Sequence, residues 1–67
     1  MKLADKILKL LREKNNSLSI SDIARELKAG YSNVHKAVEK LLEAGLVEEY
    51  RPNPKIRLIY LKKGEDE

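Results

Sequence analysis

The chain is 67 residues long, which leaves room for one domain around one small core, near the size at which folding without staples becomes difficult. It has no cysteine and one histidine, His35, which excludes disulfides, thiolate metal centres and a zinc set of His and Cys ligands, so neither a metal nor a cofactor is expected. The formal charge of +3 is unevenly spread: Glu65, Asp66 and Glu67 sit together at the end, while residues 1–64 carry 14 basic and 8 acidic side chains.

A basic body suits a polyanionic partner such as nucleic acid. Charges at Lys2, Asp5 and Lys6, and the lack of an apolar run approaching the roughly 20 residues of a membrane span, point to a soluble, cytoplasmic protein with no membrane partner. Charged residues make up 37% of the chain, and Gln, Thr, Cys, Trp and Phe are absent, a bias that resembles Lys- and Glu-rich proteins of hot environments.

Leu3, Ile7, Leu10 and Leu11 recur at helical spacing, with Ala4 and Leu8 beside them, and predict a first helix from Leu3 to Lys14, stopped by Asn15-Asn16-Ser17. Its apolar arc is wider than one core contact needs. Either the domain buries the helix deeply, or its edge near Leu8 meets a second subunit, with Leu3 and Leu8 as the contact residues. Leu18-Ser19-Ile20 reads as a short extended segment, and Ser19 with Asp22 forms a start like a capping box, with Asp in place of the usual Glu or Gln. A second helix follows to about Lys28, with Ile20, Ile23, Ala24 and Leu27 on one face.

Lys28-Ala29-Gly30 breaks that helix, Gly30 serving as a turn residue or as the next N-cap. A third helix is expected over Tyr31 to Ala44, burying Val34, Ala37, Val38 and Leu41 and turning Ser32, Asn33, His35, Lys36, Glu39 and Lys40 outward. Gly45 ends it, and Leu46-Val47 return to the core. From Leu46 to Arg51, and again from Lys55 to Lys62, the period changes to about two, predicting a β-hairpin with Pro52-Asn53-Pro54 at its tip and Arg51, Lys55 and Arg57 on its flanks. Three helices followed by a two-stranded wing make an α+β winged helix-turn-helix. The domain is taken as residues 1–64, with 65–67 an acidic, frayed tail.

The segment LSISDIARELKAGYSNVHKAVEKLLEAGLVEE resembles the DNA-binding core of the MarR-type transcriptional regulators. Their pattern runs as apolar-Thr-x-x-Glu-Leu-Ala, a short turn, Ser-Thr-Val-Thr-Arg, then Leu-x-x-x-Gly-Leu-Val. Ser19, Asp22, Ile23, Ala24, Leu27, Ser32, Asn33, Val34, His35, Lys36, Leu41, Gly45, Leu46 and Val47 occupy the corresponding places. RPNPKIRLIYLKKG is similar to that family's wing, so the resemblance covers about residues 18–64. Many archaeal and viral winged-helix regulators share the same skeleton.

Three departures stand out. Lys28 replaces the turn glycine, with Gly30 two places later. Asn53 replaces the wing aspartate that would orient the wing arginine, here Arg57. The long C-terminal helices that pair subunits and frame a ligand pocket in that family have no counterpart here, so a homodimer would use another surface, the first helix with the C-terminal strand.

The resemblance implies a transcriptional regulator that binds specific double-stranded DNA through its third helix. Asn33 suits adenine N6/N7 and Lys36 suits guanine O6/N7, while Ser32 and His35 adapt to base edges or phosphate. Tyr31 and the free amides at the start of the helix suit phosphate, and Lys40 the backbone. Arg51, Lys55 and Arg57 would straddle the minor groove, whereas Glu39 would repel phosphate. The alternative is a winged-helix module that binds protein within a larger assembly; the polar third helix, unlike an aromatic interface, favours DNA. No supported triad, paired carboxylates or glycine-rich phosphate loop suggests an enzyme, and so small a core leaves little volume for a small-molecule ligand.

Overall fold

The structure, a computed structural model, describes residues 2–14 and 17–62. The expected stop at Asn15-Asn16 and the acidic tail at 65–67 lie outside the described residues. Three helices and three strands follow in the order α1 (Leu3–Lys14), β1 (Leu18–Ser19), α2 (Ile20–Leu27), α3 (Tyr31–Ala44), β2 (Val47–Asn53) and β3 (Ile56–Leu61). This is the expected α+β winged helix, with one addition. Leu18-Ser19 is a third strand of the wing sheet, which is antiparallel with the order β1-β3-β2.

Among the described residues ten apolar side chains close the core, including Ile7 and Leu11 of α1, Ile23 of α2, Val34 and Val38 of α3, Val47 of β2 and Ile59 of β3. No polar or charged side chain joins them among the described residues, so the core stabilises by apolar burial alone, on the order of 1.5–3 kcal/mol per large side chain. Leu3 and Leu8, expected at a subunit contact, are half-buried and pack against this same core. Leu46, expected inside, is 49% exposed; only Val47 of that pair is buried.

The helix ends explain the local differences. Ser19 caps α2 by accepting the Asp22 backbone N–H on its hydroxyl at 3.1 Å. Asp22 does not complete the box; its carboxylate accepts instead from Arg25 Nη1 at 3.1 Å, an i,i+3 ion pair within the helix. At the far end α2 stops one residue before Lys28, which takes the left-handed conformation (φ 55°, ψ 43°) while the Ala29 N–H bonds the Ala24 carbonyl. Lys28 thus stands where this Schellman-type cap favours glycine. Gly30 is an ordinary extended N-cap (φ −67°, ψ 142°), so the glycine shifted along the chain does not take over the turn. α3 ends in a second cap of the same type at Gly45 (φ 78°).

The wing turns later than expected. Pro52 and Asn53 belong to β2, and the two-residue turn is Pro54-Lys55. Asn53 makes it by accepting the Lys55 N–H on Oδ1 at 2.9 Å. Tyr50 faces Leu58 but Asn53 faces Ile56, so β2 carries one extra residue, a bulge at Arg51-Pro52 opposite Arg57. Pro52 is tolerated because β2 is an edge strand and the bulge absorbs its missing donor.

Lys28→Gly removes the left-handed strain, worth about 1 kcal/mol. It is expected to raise the urea midpoint relative to the wild type, and Lys28→Ala is not. A Lys28→Gly chain no more stable than Lys28→Ala would show that the side chain at this cap is not strained.

Candidate nucleic-acid interface

α3 turns about 100° per residue, so its three buried side chains, Val34, Val38 and Leu41, divide the remaining surface into regions of different character. Ser32 and Lys36 stand on the crest opposite the core, with Glu43 below them. Asn33 and Lys40 lie on one flank, and Tyr31, His35 and Glu39 on the other. Asn33, Lys36 and Lys40 are exposed, and their side chains have no hydrogen-bond or ion-pair partner among the described residues.

The N-terminus of α3 faces solvent. Gly30 provides no side-chain cap, and the first intrahelical bond is donated by Val34 N–H to the Gly30 carbonyl at 3.0 Å. The amides of Tyr31, Ser32 and Asn33 therefore have no partner within the helix and carry the positive end of its dipole. Tyr31 is 54% exposed, and its ring stacks on that of His35 with centroids 6.4 Å apart and planes 26° apart. That ring contact, with Glu39 Oε2 3.7 Å from His35 Nε2, orders the flank facing the wing.

Arg57 corrects the sequence expectation most. It is not a free wing cation. Its side chain is only 20% exposed, with Nη2 donating to Glu39 Oε2 at 2.7 Å and Nε donating to Glu49 Oε1. The guanidinium joins the middle of α3 to β2. The charged partner that Asn53 could not supply comes from these two carboxylates, and Glu39, expected to repel phosphate, has its charge met by Arg57.

The titration shifts agree with that geometry. Hydrogen bonding from Arg57 is the main reason Glu39 is held below its ordinary value of 4.5, against an opposing effect of desolvation. Partial burial works to lower the Arg57 value, but the bonds to Glu39 and Glu49 outweigh it and leave it raised. On the wing Arg51 is exposed, with Nε 3.6 Å from Glu49 Oε2. Lys55 is exposed at the turn, its ammonium unpaired among the described residues.

The structure thus leaves Tyr31, Ser32, Asn33, His35, Lys36 and Lys40 outside the core on α3, spread over its crest and two flanks, with Tyr31 and His35 on the flank facing the wing. Arg57 differs from the wing cations Arg51 and Lys55 in being mostly covered, although it shares Glu49 with Arg51. Glu39 and Glu49 are the functional pair that the sequence reading missed as a tie. The alternation of β2 and β3 contained a signal for Glu49, since the register places it one diagonal from Arg57 on the same sheet face. The sequence contained no comparable signal that α3 would bring Glu39 to the same guanidinium.

Among the described residues no group of three or more His, Cys, Asp or Glu side chains is placed to hold a metal ion, and no helix is long and apolar enough to cross a membrane. Because the bound Glu39 carboxylate has a lowered pKa, its contribution is fully present above the unfolded carboxylate value. It is lost as pH falls through the lower folded value. Glu39→Gln is therefore expected to lower the urea midpoint at pH 7 and to lose that difference toward pH 3. At pH 7 Arg57→Gln and Glu39→Gln should combine with less than additive cost. Equal effects of Glu39→Gln at both pH values would break this account of the tie.

Comparison with solved structures gives two close likenesses. The chain aligns with a structure of HOP2, described for its DNA recognition and protein interaction domains and its homologous DNA pairing properties, at 25% identity and a TM-score of 0.82, covering 91% of this chain and 100% of that one. It aligns with the ferric uptake regulator of Francisella tularensis, solved with iron, at 22% identity and a TM-score of 0.86, a likeness of fold. There it covers 97% of this chain but spans only 54% of the regulator. No curated protein sequence matches significantly. With its helices and its wing matched together over residues 3–61, the chain belongs to the HVO_A0114 family.

Proposed function

We propose that this chain binds double-stranded DNA as a transcriptional regulator, with α3 in the major groove and the wing tip against the phosphates or the minor groove. The observation that carries the reading is the set of unpaired polar and cationic side chains on α3. Asn33 and Lys36 lie in the first two turns after an uncapped helix N-terminus, Lys40 lies one turn further on, and the wing adds the exposed cations Arg51 and Lys55. Such a surface presents donors to base edges and phosphates without first breaking internal bonds.

The likeness to HOP2, which is described by its DNA recognition, supports the same reading, as does the resemblance of residues 18–64 to MarR-type regulators. Asn33 and Lys36 read bases, Ser32 and His35 adjust to base edges, and Tyr31, Lys40 and the amides of the first turn hold phosphate. Arg51 and Lys55 add phosphate contacts at the wing. Arg57 is a positioning residue: by bonding Glu39 and Glu49 it sets the angle between the recognition helix and the wing.

Glu43, on the crest one turn below Glu39, limits the reading surface to the first two turns of α3, since a carboxylate there repels phosphate. The reading surface is therefore short. Specificity falls on a few contacts, each worth about 1–3 kcal/mol of discrimination.

Selection of binding sites from random duplexes, followed by mobility-shift titrations over a range of salt, tests this directly. Asn33→Ala and Lys36→Ala are expected to relax specificity at single base positions. Lys55→Ala is expected to weaken binding to all sequences and to reduce the slope of log K against log salt by about 1. Duplex binding unchanged by all three substitutions would remove the site assignment, and no duplex binding at low salt would remove the function.

A further inference from the structure

Among the described residues four large apolar side chains are exposed: Tyr31 on α3, and Leu46, Tyr50 and Ile56 in the wing. The last three share one surface. Glu48 pairs with Tyr60 and Tyr50 with Leu58 across the β2–β3 ladder, and the Lys62 N–H donates to the Leu46 carbonyl at 3.2 Å. Strand alternation therefore sends Leu46, Glu48 and Tyr50 from one strand, and Leu58, Tyr60 and Lys62 from the other, to the same side of the sheet. The Tyr60 hydroxyl, donating to Glu48 Oε1 at 2.9 Å, bridges that side. Ile56 shares the parity of Leu58 and Tyr60.

This is the face opposite the one that carries Val47, Glu49, Arg57 and Ile59. The helices pack on the inner face through Val47 and Ile59, and neither Leu58 nor Tyr60 is among the side chains packed on the core. An apolar strip thus runs along the outer face, with Tyr50 57% exposed, Leu46 49% and Ile56 42%. Apolar side chains scattered singly need no explanation, but a contiguous strip marks an interaction surface.

The charges at its rim indicate the occupant. Glu48 and Lys62 both lie on this face, and neither has an ion-pair partner among the described residues; Glu48 is engaged only by the Tyr60 hydroxyl. A second copy related by a two-fold axis brings Glu48 to the partner's Lys62 and Lys62 to the partner's Glu48, so both pairs form at once. Nucleic acid would instead meet the Glu48 carboxylate on this face.

We propose that the outer face of the wing sheet is where two copies of this chain associate, back to back, with Tyr50, Leu58 and Tyr60 at the centre and reciprocal Glu48–Lys62 pairs at the rim. Stacking there leaves both α3 surfaces uncovered. It also places the subunit contact on the sheet rather than on the first helix at Leu3 and Leu8, which already pack inward. The proposal stands on the sheet alone and does not require the DNA reading to hold.

Sedimentation velocity of the full chain, over a concentration series centred on the order of 10 µM, tests it without DNA. A reversible monomer–dimer equilibrium is expected, weakened at least about tenfold by Tyr50→Lys, a change at an exposed position that thermal unfolding should show still folds. Glu48→Lys is expected to weaken association, and Glu48→Lys combined with Lys62→Glu to restore it. A monomer at every concentration would overturn the proposal, as would a dimer indifferent to Tyr50→Lys. So would a monomer whose Tyr50→Lys variant loses affinity for a single-stranded oligonucleotide, which would give the face to nucleic acid.

Discussion

The two-residue alternation of β3 is the constraint on which the rest of the molecule depends. It is the central strand, pairing with β1 on one side and β2 on the other, and its side chains are divided between two faces by the pleat. The inward set closes the core with the fully buried Ile59 and delivers Arg57 to Glu39 on α3. The outward set, Ile56, Leu58 and Tyr60, forms half of the apolar strip. A slip of one residue in register would exchange these sets, exposing Ile59 and breaking the tie between helix and wing. Register here decides function as well as stability.

That arrangement makes α3 and the wing a single body. In so small a domain the core is closed by ten apolar side chains and has no reserve with which to hold a wing by packing alone. The base of the wing packs on the helices through Val47 and Ile59, and further out one guanidinium held by two carboxylates ties it to α3. Such a tie is directional. It fixes the angle at which α3 and Lys55 present themselves, whereas apolar contact would fix only their proximity.

Much of this was legible in the sequence, for reasons that differ by element. α1 and α3 came out with their observed ends because their apolar residues follow the helical period over several turns and, for α3, because Gly30 and Gly45 bracket it. β1 was read only as extended, since two residues cannot show a period and its strand character comes from pairing with Leu58 and Ile59. Prolines on both sides of Asn53 suggest a loop of three residues. The Asx bond of Asn53 and the bulge at Arg51-Pro52 shortened it, and neither is visible without the register. On the candidate interface, subtraction from the core found the exposed side of α3, but the role of Arg57 required three elements to meet in space.

The account rests on α3 and the wing tip meeting duplex DNA together, as one surface. The most direct measurement is an amide chemical-shift titration of the isotope-labelled chain with a selected duplex. The largest shifts should fall on residues 30–40 and 51–55, with the outer-face strand residues Leu58 and Tyr60 unmoved at a fixed protein concentration. Shifts confined to α1 or to the outer face of the sheet, with α3 silent, would contradict it.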